Sequence, residues 1–151
     1  KDVDQEVDFF HRSASILRER LGAVLFQLPP NFPKDVDRLR HLLDLVGQPE
    51  KAALEFRHAS WMDDEVVECL SGYGAALCTA DTESAEGEIV RTGPQGYLRL
   101  RKPDYSGEEL RRWAKNVEDA NWTDAFVFFK HADEGAGPEM AAAFQALVTP
   151  G

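Results

Sequence analysis

The sequence predicts an α/β protein of the (β/α)8 TIM-barrel type, with about five parallel β/α units in this chain. Two observations predict it. Strand-like apolar runs alternate with segments of helical periodicity along the 151 residues, and this order is typical of right-handed βαβ units. One face of several predicted strands also carries polar or charged side chains, which suit a barrel interior better than a sheet covered on both faces. Because five strands cannot close such a barrel, about three more units are expected before Lys1, forming its N-terminal remainder.

The first half of the chain is predicted to begin helix, strand, helix, strand. Residues 2–20 place apolar side chains at helical spacing. Residues 23–28 form a short apolar run that two prolines follow, so we predict a strand that ends at Gln27. Asp35 is the predicted N-cap of a helix over residues 36–46. The central strand comes next.

The central stretch, Lys51–Trp61 (KAALEFRHASW), organises this prediction. Leu54 and Phe56 alternate with Glu55 and Arg57, so one face of the strand is apolar and the other is charged. A helix signal follows after a short polar loop. The loop therefore lies at the carboxyl end of a strand, where α/β folds place their ligands.

The second half of the chain is predicted to add further strands. A helix at about residues 63–71, capped by Asp63, precedes an apolar run over residues 75–80 that Asp81 ends. Residues 96–101 alternate again, with a tyrosine and two arginines on one face and two leucines on the other.

The end of the chain is predicted to be helix, strand, helix. Ser106 and Glu109 have capping-box spacing before the first of these helices. Residues 125–129 form the last predicted strand, and Pro138 lies in the first turn of the last helix. The buried side of this helix is predicted to carry Phe144 and Leu147.

Composition limits the classes of partner. A hydrophobic content of 43% supports one domain with its own core, over residues 1–151. The net charge of −10 disfavours general attraction to nucleic acid or to anionic membranes, and no apolar run approaches the about 20 residues that span a bilayer. Cys69 and Cys78 are too few for a disulfide framework, so a cytoplasmic location is predicted.

Four segments carry a family resemblance: LGAVLFQLPPNF (Leu21–Phe32), LEFRHASW (Leu54–Trp61), YLRLRKPDY (Tyr97–Tyr105) and FFKHADEGAGPEMA (Phe128–Ala141). In order and spacing they resemble the family called domain of unknown function 72, also known as YecE-like. The resemblance implies a TIM barrel of which this chain is the C-terminal five-strand portion. It implies no activity.

Charged side chains gather at the predicted strand ends. Glu55 and Arg57 end one strand, and Arg99 and Arg101 end another. Guanidinium groups suit phosphate or carboxylate because they offer paired, permanently charged donors. We therefore predict an anionic small-molecule ligand; the alternative is that Glu55 pairs with an arginine and the network only fills the interior.

The predicted ligand-binding residues are Gln27, Arg57, His58, Trp61, Arg99, Arg101, Lys130 and His131. Glu55 and Asp81 are the candidate general acid and base. Each assignment has a structural alternative. Asp81 could cap a loop, Trp61 could anchor the following helix, and Gln27 could satisfy strand-end amides.

A metal centre is the less favoured hypothesis. Oxygen and imidazole ligands for zinc, manganese or iron would come from Glu55, His58, Asp81 and His131. Several positive side chains in the same place would oppose a divalent cation, so a metal-free site is predicted. The sequence identifies no cofactor.

The predicted function is that of an enzyme, a hydrolase or lyase acting on an anionic, phosphate-bearing small molecule or a nucleic-acid lesion. In this hypothesis Arg57, Arg99 and Arg101 bind the anion, and Glu55 is the acid or base. The alternative is a non-catalytic ligand-binding or protein-interaction scaffold in which the same arginines recognise the ligand or partner. Nucleic acid is a subordinate option, because it requires a continuous basic stripe.

Overall fold

Helices and parallel strands alternate along the computed structural model of the protein, which describes residues 4–130 and 136–148. The helices are α1 (Asp4–Ala14), α2 (Val36–Leu45), α3 (Asp64–Tyr73), α4 (Gly107–Asp119) and α5 (Ala136–Val148). The strands are β1 (Val24–Gln27), β2 (Ala52–Glu55), β3 (Ala76–Leu77), β4 (Thr79–Asp81), β5 (Gln95–Leu100) and β6 (Asp124–Phe129). Short 3₁₀ helices cover Ser15–Arg20, Pro49–Lys51 and Ala59–Trp61.

The strands form two three-stranded sheets, with the orders β1-β2-β3 and β4-β5-β6. Every strand pair is parallel. Gln27 lies beside Glu55 in the first sheet, and Arg99 lies beside Phe128 in the second. Because paired residues point to the same face of a parallel sheet, these registers decide which side chains meet.

The prediction of five parallel β/α units of an incomplete (β/α)8 barrel is wrong. The described residues form six short strands in two separate sheets, and only the general α/β class holds. The difference arises at residues 75–80, which were predicted as one strand. Leu77 is the last residue paired with β2 and Thr79 is the first paired with β5, so the run changes partner at Cys78. Period-two alternation does not indicate which neighbour a strand pairs with.

The polar strand face, which favoured a barrel interior, has a simpler explanation in the structure. Arg57 and Arg99 expose 36% and 25% of their side chains. Charged groups with this access to solvent avoid most of the cost of burial without an enclosing barrel.

Helices cover one face of each sheet, which we call the outer face. In the first sheet a core forms around Leu39, Leu54, Trp61 and Leu70. In the second, the core is built around Leu98, Leu100, Trp113 and Phe144. The opposite, inner face carries a smaller apolar cluster of Ala53, Ala76, Cys78 and Tyr97. The predicted alternation of β2 and β5 is therefore confirmed.

Helix ends follow the predicted signals. The side chains of Asp35 and Asp63 accept backbone N–H groups at the starts of α2 and α3, and Ser106 and Glu109 form a complete capping box on α4. Leu147 differs from the prediction, because its side chain is 45% exposed rather than buried. In the part of the chain that the structure describes, no helix is long and apolar enough to cross a membrane.

The capping box predicts a pH-dependent loss of stability in Glu109→Gln. The pKa of Glu109 is lowered to about 2 by the backbone N–H of Ser106, with further help from Lys102. A lowered folded pKa gives stability that is present above the unfolded value of about 4.3 and is lost as the pH falls through about 2. We expect the free energy of unfolding of the variant to be about 0.5–1 kcal/mol lower than that of the wild type at neutral pH, and equal to it at pH values below about 2.

Urea unfolding across this pH range measures the difference. Glu108→Gln is the matched control, because Glu108 is an exposed acid in the same first turn. A loss in Glu109→Gln that does not change with pH, or an equal loss in the control, would contradict the assignment.

Candidate functional site

Four side chains from both sheets meet at the carboxyl ends of the strands; we call Gln27, Glu55, Arg57 and Arg99 the polar cluster. Arg57 Nε donates to Glu55 Oε1 at 3.2 Å, and Arg99 Nη1 donates to Glu55 Oε2. Both guanidinium groups also donate to Gln27 Oε1, each at 2.9 Å. Glu55 is 3% exposed, so its carboxylate is held entirely by these partners.

Strand register explains the polar cluster. Gln27 and Glu55 end β1 and β2 side by side, and Arg57 follows two residues later. Arg99 belongs to β5 in the second sheet and spans the gap to the first. Because all the strands are parallel, their carboxyl ends lie at the same edge, which brings distant parts of the sequence together.

Two further basic residues extend this edge. Arg101 directly follows β5, and Lys130 directly follows β6; their backbone N–H groups donate to Asp81 and Leu100 oxygens at 2.8 and 2.9 Å. By strand alternation both side chains share the inner face with Arg99. Within residues 4–130 and 136–148, no carboxylate pairs with either side chain.

Cys78 lies beneath these charges on the inner face. Burial, with a smaller contribution from Glu55, raises the pKa of the Cys78 thiol to about 12, while Arg99 and Arg101 oppose the shift. The thiol is therefore protonated at neutral pH, and it packs as a small apolar side chain rather than acting as a nucleophile.

His58 and Trp61 turn away from the polar cluster. His58 Nδ1 accepts the backbone N–H of Ser60 at 3.2 Å and lies 2.8 Å from its hydroxyl oxygen, so the ring caps a short 3₁₀ helix. Trp61 is 2% exposed; it stacks on Phe56 at a centroid distance of 4.4 Å and donates to the Phe32 oxygen at 2.9 Å. This geometry favours the structural alternative for Trp61.

Asp81 belongs to a different environment from Glu55. Asp81 is the register partner of Leu100, so its side chain lies on the outer face of the second sheet, whereas that of Arg99 lies on the inner face. It is fully buried, and its carboxylate accepts the Gly87 N–H at 2.9 Å and the Tyr105 hydroxyl at 2.8 Å. The structure does not bring Asp81 and Glu55 together as an acid–base pair.

The remaining candidate, His131, lies outside the described residues. Among those that are described, no three His, Cys, Asp or Glu side chains lie close enough together to hold a metal ion.

The structure also places near the polar cluster a residue that the sequence did not single out. Phe128 is the register partner of Arg99 and is 48% exposed. The signal that could have identified it is the period-two spacing of Phe126, Phe128 and Lys130, which puts Phe128 on the same face as Lys130 at the end of β6.

The fold and this site define a parallel α/β protein with a basic edge at the carboxyl ends of its strands. The model of the family described as protein of unknown function DUF72 matches residues 1–150, and the chain belongs to this family. The predicted resemblance to domain of unknown function 72 is thus confirmed. No curated protein matches the chain.

Solved structures of the same family share the fold. A DUF72 family protein from Thermotoga maritima MSB8 superposes with a TM-score of 0.81 at 23% identity, covering 98% of this chain and 66% of that one. Two structures of a DUF72 family protein from Enterococcus faecalis V583 give TM-scores of 0.75 and 0.71, at 15% and 16% identity. They cover 99% and 96% of this chain, and 67% and 68% of theirs. The chain thus spans about two thirds of the length of these relatives.

Proposed function

We propose that the chain binds a small phosphate-bearing anion at the basic edge formed by Arg57, Arg99, Arg101 and Lys130. The observation that carries this proposal is the fixed orientation of two partly exposed guanidinium groups. Arg57 and Arg99 share the buried Glu55 and Gln27 as acceptors, yet keep 36% and 25% of their side chains accessible. An arginine that is already ordered loses less entropy when it binds an anion.

Local charge supports the same proposal. Arg57 and Arg99 share the single negative charge of Glu55, and Arg101 and Lys130 have no carboxylate partner among the described residues. The whole chain carries −10, so this edge differs in sign from its surroundings. A concentrated patch of one sign raises the local concentration of the opposite ion and increases its association rate.

Catalysis is the second candidate, and the burial of Glu55 is the observation that favours it. A carboxylate at the carboxyl end of a strand, 3% exposed, occupies a usual position for an acid or base. Both oxygens already accept arginine N–H groups, however, and Asp81 lies on the other face of its sheet. Binding therefore has more support than hydrolase or lyase chemistry.

Substitution of the arginines tests the binding proposal. We expect Arg99→Gln and Arg101→Gln each to weaken phosphate binding about ten- to hundredfold, because one charge-assisted hydrogen bond contributes about 1.5–3 kcal/mol. Isothermal titration calorimetry with inorganic phosphate at low ionic strength measures this change.

Arg91→Gln is the matched control, because it removes the same charge from an exposed residue just before β5, at the opposite end of the sheet. Its phosphate affinity should stay near that of the wild type. If Arg99→Gln and Arg101→Gln bound phosphate as tightly as the wild type, the proposal would be wrong. An equal loss of affinity in Arg91→Gln would show that only the net charge of the protein matters, not these arginines.

Glu55→Gln separates binding from catalysis. Glutamine keeps an oxygen that accepts hydrogen bonds from the arginines but cannot serve as a carboxylate base. A phosphate affinity that survives this substitution supports the binding proposal. Phosphoester turnover by the wild type that disappears in Glu55→Gln would establish the catalytic candidate instead.

We also infer a cytoplasmic location. Cys69 and Cys78 are both free and buried, and unpaired thiols are typical of proteins from reducing compartments. Fractionation of the native host followed by immunoblotting tests the inference; recovery in a membrane or secreted fraction would contradict it.

A further inference from the structure

Phe128 is an exposed aromatic residue next to the most constrained arginine of the basic edge. It pairs in register with Arg99, so the two side chains rise from neighbouring strands on the inner face, about 5 Å apart at their backbones. The ring is 48% exposed. In the residues that the structure describes, other exposed aromatic rings such as Phe9 lie on α1, away from this edge.

Tyr97 supports the Phe128 ring from below. Their ring centroids lie 5.0 Å apart with an interplanar angle of 32°, and Tyr97 itself is buried. Phe128 is therefore held on one side by an ordered ring and open on the other. A supported aromatic ring with a free face is the arrangement that stacks on a planar ligand.

Small side chains border the two rings. Ala53, Ala76 and Cys78 form the inner-face cluster with Tyr97, and all four residues are buried. Phe128 and Arg99 are more exposed than this cluster, so a ligand at this face would contact their side chains first.

We propose that the ligand is a small molecule in which a phosphate group lies next to a planar ring, with the phosphate on Arg99 and Arg101 and the ring on Phe128. This inference rests on the proposed function, since it assigns the phosphate to the same arginines. It adds the chemical class of the rest of the ligand. Adjacent strands hold the two contacts one strand spacing apart, which suits an aryl phosphate better than a phosphate separated from its ring by a long linker.

The test compares inorganic phosphate, phenyl phosphate and butyl phosphate by isothermal titration calorimetry. The wild type should bind phenyl phosphate about tenfold more tightly than the other two, as expected for stacking on one aromatic side chain. Phe128→Ala should remove this preference and leave the affinity for inorganic phosphate unchanged. Phe128→Leu, which keeps an apolar side chain over Tyr97, should also remove it.

Phe9→Ala is the matched control and should retain the preference, because Phe9 is 73% exposed on α1. Equal affinities for phenyl and butyl phosphate in the wild type would overturn the assignment of a planar ring. A preference for phenyl phosphate that persists in Phe128→Ala would overturn the role of Phe128. A wild type that binds none of the three probes would overturn the proposed function itself, so the two failures are distinguishable.

Discussion

We expect Asp81→Ala to lower the free energy of unfolding by about 3–5 kcal/mol, the range for removal of one partner from a buried charged pair. Asp81 is fully buried and accepts hydrogen bonds from Gly87 and Tyr105. Lys102 Nζ lies 3.4 Å from the same carboxylate. Alanine would leave the two donors without their acceptor and Lys102 paired only with Glu109, and buried unpaired polar groups are costly.

Chemical denaturation of the variant at neutral pH measures this loss. Glu83→Ala is the control, because Glu83 is an exposed acid in the following loop, and it should change stability by less than about 0.5 kcal/mol. Where Asp81→Ala remains folded, its affinity for phosphate should equal that of the wild type, since Asp81 faces away from Arg99. If Asp81→Ala were as stable as the wild type but no longer bound phosphate, Asp81 would have to be part of the ligand site, and the structural role would be wrong.

We expect Trp61→Ala to lower the free energy of unfolding by about 3–5 kcal/mol, as other large-to-small substitutions of buried tryptophans do. The indole stacks on Phe56 and Phe32, and its N–H donates to the Phe32 oxygen. Removal of the ring would leave a cavity in the outer-face core and an unpaired carbonyl. The ring thus ties the loop after β2 to the segment that precedes α2.

Thermal and urea unfolding measure the effect of Trp61→Ala. Trp61→Phe should recover much of the loss, because it restores the stack but not the hydrogen bond. The neighbouring Met62→Ala is the control, since Met62 is 64% exposed. A stable Trp61→Ala protein that no longer binds phenyl phosphate would show that Trp61 contacts the ligand and would contradict the structural role.

The sequence predicted local structure well because local signals determine it. Alternation placed Leu54 on the outer face and Glu55 on the inner one, as the structure confirms. Capping signals located the starts of α2, α3 and α4. These features depend on residues within a few positions of one another, so they can be read without knowledge of the tertiary fold.

Strand partners could not be predicted in the same way. The apolar run at residues 75–80 has one pattern but two partners, and only long-range pairing divides it into β3 and β4. Asp81 was grouped with Glu55 because both end predicted strands. The register that turns Asp81 toward Leu100, and away from Arg99, follows from that same pairing.

Arg99 joins the two halves of the chain mechanically as well as electrostatically. Its guanidinium group is carried by the second sheet, whereas its acceptors Gln27 and Glu55 are carried by the first. A displacement of one sheet against the other would pull these partners apart, so their hydrogen bonds hold the carboxyl ends of the two sheets together.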